Sequence, residues 1–335
     1  MSQTFSVALA AILSVFCIAG AGVLFRRTGR LTHEAEQPLL RLTVDLLMPC
    51  LIFDRVLRTD AFSNLQNLWL PPLLGYGLVV IGILLGLCVA LLPKKRNGLE
   101  NWEQRRTFAG CVGNFNYGFI PIPMVMVMFP DDTRILGVLF VQNLGVEISV
   151  WTIMLFTMMG KIDRKSLRLL INGPSVAIVI AVSLNLLGNS RFIPAAFHEQ
   201  VVPCFDFLFM AIHLLGAASI PLSIILTGAT FADHFHREEI KERLRTTFKI
   251  SFWSILIRLA VMPMIFVSLA IWLPCTMEIK QILVIHGAMG SAIFPMVLAK
   301  HYGGDPKTAF DTILSNSLLS VVTLPIWIAV GLSLI

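Results

Sequence analysis

The sequence predicts an all-α integral membrane protein of ten transmembrane helices, arranged as two inverted five-helix repeats with discontinuous helices 4 and 9. Three observations lead there. More than half of the 335 residues are apolar and only 14% are charged, and the charges cluster between apolar runs of about 17 to 25 residues, long enough to cross a bilayer. Lys and Arg collect in alternate connections. Two proline-broken apolar segments also share a pattern at one fixed offset: Gly113-Asn-Phe-Asn-Tyr-Gly-Phe-Ile-Pro-Ile-Pro-Met-Val125 and Ile285-His-Gly-Ala-Met-Gly-Ser-Ala-Ile-Phe-Pro-Met-Val297. The same offset carries Pro49 of Leu46–Phe53 onto Pro221 of Ala218–Ile225, so one register relates two separate landmarks.

Hydropathy places the first five spans at 5–25, 39–57, 68–92, 107–129 and 135–159. Span one follows Met1-Ser-Gln-Thr, which has no positive charge, and precedes Arg26-Arg27; this is the reverse of a cleavable signal peptide, so it is read as retained. Span two holds Pro49 and, near its inner end, Asp45. Span four carries the first broken segment, and span five carries Gln142, Asn143 and Glu147. The second half repeats the count with spans at 169–188, 204–231, 250–273, 279–300 and 308–334. In span seven Ser219, Ser223 and Thr227 recur every four residues beside Gly216 and Gly228, a stripe read as close helix packing. Span eight carries Arg258 and span nine the second broken segment. Cys17, Cys50, Cys88, Cys111, Cys204 and Cys275 form no Cys-x-x-Cys pair, which suggests neither a disulfide framework nor a metal site.

Orientation follows because cationic loops stay on the cytoplasmic side. The odd loops hold twenty of the 26 basic residues, among them Arg26, Lys94, Lys161, Arg237 and Lys300, so odd loops are expected inside and both termini outside the cell membrane. Residues 1–160 form the first repeat and 161–335 the second, which an odd span count forces to enter upside down. Topology thus explains the net charge of +6. No patch of interleaved aromatic and basic residues points to nucleic acid as a partner.

Proline removes a backbone donor and crowds the carbonyl four residues earlier, so Pro121, Pro123 and Pro295 should break spans four and nine at Tyr117, Phe119 and Ser291. Bare backbone at membrane depth must line a polar cavity or find protein partners. Asn114, Asn116, Gly118, Gly287, Gly290 and Ser291 are the expected substrate site, with free amides at the half-helix starts suiting a carboxylate. Helix kinking alone is the plainer reading of any one such proline.

A charge at the bilayer centre costs about 2.5–3.5 kcal/mol, so charged residues in spans need a reason. Glu147 lies roughly 18 Å from the outer end of span five and Arg258 roughly 12 Å from the inner end of span eight. Those depths are compatible with a pair, and Arg258 alone could face an anion. Glu147, Asn143 and Asp45 are candidates for coupling to a proton or sodium. His213 and His286 are read as packing residues, and hydrogen bonding between helices is an equal reading of Gln142 and Asn143.

Over nearly its whole length the chain resembles the auxin efflux carrier family of secondary transporters, which includes plant auxin exporters and bacterial permeases for malate or malonate. The resemblance rests on Leu47–Phe53, Gly113–Pro123, Arg258-Leu-Ala-Val-Met-Pro263 and Phe294–Gly303, in that order and spacing. It implies crossed helices 4 and 9, spans 1, 2, 6 and 7 as a scaffold that often dimerises, and the other spans as a transport domain moving against it. It also implies a small organic anion as substrate. The long cytoplasmic loop of plant exporters is absent, since Gly160 to Arg168 alone join the halves, so a compact permease is expected.

Two rivals stand beside it: a sodium-coupled organic anion symporter of the bile-acid type, and a membrane sensor that binds without transporting. Enzyme chemistry finds little support. His33-Glu34 and His198-Glu199 are followed by Gln37 and Val202 where a zinc-binding His would stand, Gly160-Lys161 lacks the rest of a phosphate loop, and no cofactor is implied.

Overall fold

The computed structural model describes residues 2–130, 132–160, 171–189, 206–234, 247–302 and 304–335, and among them every regular element is helical. Cys204, His198 and most of the basic residues expected in the fifth and seventh loops lie outside the described residues. The first half runs through α1 (Ser2–Arg27), α2 (His33–Leu42), α3 (Met48–Arg58), α4 (Gln66–Ala90), α5 (Trp102–Gly113), α6 (Pro121–Met128), α7 (Thr133–Ser149) and α8 (Leu155–Met159). The second runs through α9 (Gly173–Asn189), α10 (Asp206–His234), α11 (Phe248–Ile255), α12 (Met262–Trp272), α13 (Met277–Ala288), α14 (Phe294–Tyr302) and α15 (Pro306–Leu334). Among the described residues, five continuous helices are long and apolar enough to cross a membrane: Gln66–Ala90, Thr133–Met159, Phe207–Thr230, Phe248–Trp272 and Pro306–Leu334.

Wide π-helical turns at Thr43–Leu47, Val150–Met154 and Leu256–Val261 link α2 to α3, α7 to α8 and α11 to α12. Two of them precede a proline, Pro49 or Pro263, whose missing N–H leaves a carbonyl four residues back without its helical donor. For Pro263 that carbonyl belongs to Leu259, and the Trp327 indole N–H donates to it at 2.8 Å. Helix starts follow ordinary capping chemistry: the side chains of Asn101, Asp132 and Asp305 accept from Gln104, Arg134 and Lys307 amides. Each such cap stabilises by about 1 kcal/mol.

The helices sort by their packing. α1 lies along α10, and α3 packs on α9 and α10. α4 lies against α5 and α7, α12 against α13, and α15 against α11 and α13. Between these groups α1 touches α6 and α15, while α7 meets α3 and α9. Small residues set the α1–α10 approach: a Cβ added to Gly228 would stand 2.0 Å from the Ala19 carbonyl oxygen, and one on Gly22 2.0 Å from that of Ile225. Arg26 ties the same corner by an ion pair with Glu36, which also accepts the Thr230 hydroxyl at 2.7 Å. Toward the C-terminal end of α3, Asn185 donates to the Val56 and Thr59 carbonyls at 2.9 and 2.8 Å, and His213 meets Asp54 at 3.1 Å. Cys17, Cys50, Cys88, Cys111 and Cys275 are free thiols.

Candidate functional site

The site begins with two interruptions. α5 stops at Gly113 and α6 restarts at Pro121; α13 stops at Ala288 and α14 restarts at Phe294. Asn114 (φ −94, ψ 112) and Met289 (φ −71, ψ 140) leave the helices in extended conformations. The two extended segments cross antiparallel with Phe115 opposite Ser291. The Asn116 amide donates to Gly290 and the Ala292 amide to Asn114, each at 3.0 Å. Each break thereby satisfies part of the other's backbone, as buried backbone requires. At the start of α6, the Ile122 and Met124 amides donate back to Gly118 and Ile120 at 3.1 and 3.2 Å. The free donors expected there are largely consumed, and the helix dipole is what that end offers.

Side chains clamp the crossing from several directions. Asn143 on α7 donates to the Tyr117 carbonyl at 3.0 Å, the very carbonyl that Pro121 cannot serve. The Tyr117 hydroxyl donates to Glu147 at 2.7 Å, and the Trp151 indole N–H donates to the other carboxylate oxygen at 3.1 Å. Trp151 packs edge-on against Phe294, the first residue of α14. Gln142 and His286 meet at 2.9 Å. On α15, Asn316 donates to the Ser291 hydroxyl at 2.7 Å.

Arg258 holds the second break from behind. Its Nε donates to the Met289 carbonyl at 2.8 Å and its Nη2 to that of His286 at 3.0 Å, at the carbonyl end of α13 where a cation is favoured. The guanidinium lies 5.1 Å from the Phe115 ring centroid and 5.7 Å from that of Phe266. Arg258 is fully buried, its Nη1 has no partner, and among the described residues no carboxylate lies within ion-pair distance.

A cavity of about 280 Å³ opens where α1 and α10 face the crossing. Its polar lining is Asn116, Ser291, Ser317, Ser320 and Thr227; apolar residues such as Phe16, Phe119 and Ile224 supply most of the rest. The hydroxyls of Thr227 and Ser320 are spent on the carbonyls of Ser223 and Ser317, which leaves Asn116 and Ser291 at the crossing and Ser317 on α15 as the polar lining.

The residues singled out from sequence are thus partly gathered. Asn116, Gly290 and Ser291 line one cavity, with Arg258 one residue behind its wall. Asn114 does not line it: it is fully buried, and neither side-chain amide atom has a partner among the described residues. Gly118 sits in the break with open space at its Cβ position, whereas a Cβ on Gly287 would come within 2.6 Å of Phe266, so Gly287 serves close packing. Pro121 and Pro123 start α6, and Pro295 stands second in α14. Glu147 and Arg258 do not meet, since each is engaged by other groups. Asp45 is exposed on the turn between α2 and α3, away from the crossing. Thr227 and Gly228, read as packing, also form cavity wall. Trp151, Asn316 and the hydroxyl of Tyr117 had no part in the expected site; Asn316 lies within one residue of the position that the repeat offset assigns to Asn143.

The sequence profile of the membrane transport protein family matches residues 7–167 and 158–328. The chain belongs to that family, the auxin efflux carriers. An uncharacterized transporter of Methanothermobacter thermautotrophicus is 23% identical over 326 residues, which cover 94% of this chain and 96% of that protein. As an auxin efflux carrier family member, the chain is a multi-pass membrane transporter with a small-molecule substrate, and membership implies transport, not catalysis.

Proposed function

We propose that this family member is a secondary carrier of small organic anions, dicarboxylates or auxin-like carboxylates, working by alternating access in the cell membrane. The observation that supports an anion is the buried Arg258, a cation with no carboxylate partner among the described residues, whose grip on Met289 sets it directly behind Gly290 and Ser291. An uncompensated charge at such depth is costly, and a bound anion offsets it. Asn116 and Ser291 supply hydrogen bonds, and the dipoles of α6 and α14 add positive potential. In this reading α1, α3, α9 and α10 form a scaffold, which also offers the surface for a homodimer, and the crossing moves against it across the cavity. Ten spans in two inverted repeats, with both termini outside, complete the arrangement.

With the interior negative, moving a monoanion outward releases about 2.3 kcal/mol per 100 mV, so export needs no coupled ion. Import needs one, and Glu147, joined to the crossing through Tyr117, is the proton candidate. A sodium-coupled variant draws on one further observation: the side-chain oxygens of Gln142 and Asn143 are buried without partners among the described residues, and carbonyl oxygens suit hard cations. Replacing sodium by choline in a transport assay separates the two couplings.

The test is thermal stabilisation of the purified protein by malate, malonate and indole-3-acetate. A carboxylate that binds the folded state at 100 times its Kd adds about 2.7 kcal/mol and raises the melting temperature. One of these anions is expected to do so while its uncharged amide does not. Equal stabilisation by the amide, or none by any anion, overturns the reading.

A further inference from the structure

The two halves each send an asparagine from their last long helix onto their own break, but to different ends. Asn143 on α7 grips a backbone carbonyl, that of Tyr117. Asn316 on α15 grips a side chain, donating to Ser291 at 2.7 Å, and Ser291 lines the cavity. Asn316 is fully buried and Ser291 nearly so. A hydroxyl has one proton and two lone pairs. With a lone pair of Ser291 taken by Asn316, its proton remains for an acceptor, and the cavity is the space it faces beside Asn116.

We propose that Asn316 is the specificity-setting positioning residue of the site, holding the Ser291 hydroxyl as a donor toward a carboxylate oxygen of the substrate. The inference rests on the anion-carrier reading for its substrate and on the Asn316–Ser291 contact for its mechanism. Asn143 has no such role, because the group it holds is backbone. The consequence is a site that prefers substrates presenting an acceptor at that point and disfavours those presenting a donor.

The near-isosteric Asn316→Asp turns the contact around, since a carboxylate accepts and Ser291 must then donate to it. In proteoliposomes, for whichever of malate, malonate or indole-3-acetate the wild type carries, this variant is expected to raise the half-saturating concentration about 10-fold, the loss of one good hydrogen bond, with maximal rate within about twofold. Asn316→Ala, which removes the donor without offering an acceptor, is expected to cost less than Asn316→Asp. Ser291→Ala combined with Asn316→Asp should cost no more than Ser291→Ala alone; additive losses overturn the proposal, as does unchanged half-saturation in Asn316→Asp.

A second arm needs no substrate and no fully active carrier. In Ser291→Cys, alkylation of the residue-291 peptide is followed by mass spectrometry. An Asn316 donor favours the thiolate, so adding Asn316→Ala should slow alkylation about 10-fold relative to Ser291→Cys alone. Equal rates overturn the contact. A wild type that carries none of the anions while this arm succeeds overturns the anion-carrier reading and the specificity role built on it, and leaves only the Asn316–Ser291 contact standing.

Discussion

Replacing Arg258 by Met keeps the volume and removes the charge, which separates the anion-attracting role of this residue from its packing. Arg258→Met is expected to abolish carboxylate-induced stabilisation and to leave the Met289 and His286 carbonyls without their donor, while Arg258→Lys keeps the charge, loses the fork and binds about 10-fold more weakly. Thermal shift with and without carboxylate reads both. Tyr117→Phe strips Glu147 of one of its two donors and is expected to destabilise the protein by about 1–3 kcal/mol. Adding Glu147→Gln, which removes the charge that needs the donor, should recover part of that loss in the same melting assay. At this scale the sequence revealed which residues are polar within apolar runs, but not their directions. Helical rise fixes how deep Glu147 and Arg258 lie and says nothing of the azimuth, so equal depth was no guide to pairing. Asn316 was legible in principle, one residue from the repeat partner of Asn143.

The breaks in the helices are chemical features that can be tested as elements. Pro121→Ala with Pro123→Ala restores two N–H donors and lets α5 and α6 approach a continuous helix, which takes Phe115 and Asn116 away from Ser291 and Gly290. The double variant is expected to lose most carboxylate binding while remaining in the membrane. Phe115 and Ser291 are opposed as a non-hydrogen-bonded antiparallel pair, a type with about 4.5 Å between Cα atoms. Phe115→Cys with Ser291→Cys should therefore form a disulfide on mild oxidation, visible as a reducible mass shift, and failure to form it contradicts the crossing. Long helices such as α4 and α15 were legible because they follow apolar runs, and the interruptions because matched prolines recur at one offset, although Pro71, Pro72, Pro221 and Pro325 lie inside continuous helices. The pairing of the two breaks was not, since β-type contacts join residues remote in sequence. Gly287 misled for a related reason: the offset assigned it to the break, but α13 continues to Ala288 and the glycine answers to Phe266.

Across the whole molecule, the seam between α1 and α10 on one side and the crossing on the other decides whether a substrate can be held and released. Two glycines there give opposite expectations. Gly20 lines the cavity with nothing within 4 Å of its Cβ position, so Gly20→Leu should fill the space and block binding at unchanged melting temperature. Gly228 abuts the Ala19 carbonyl, so Gly228→Ala should destabilise by about 1–3 kcal/mol through overpacking. The most direct measurement is flux of labelled malate, malonate and indole-3-acetate in proteoliposomes with an imposed potential, for wild type, Asn116→Ala and Arg258→Met. At least one carboxylate is expected to move, its flux following the potential if it travels alone, and both substitutions are expected to remove it. Wild-type flux of these anions that persists undiminished in Asn116→Ala and Arg258→Met would contradict a substrate site at the crossing.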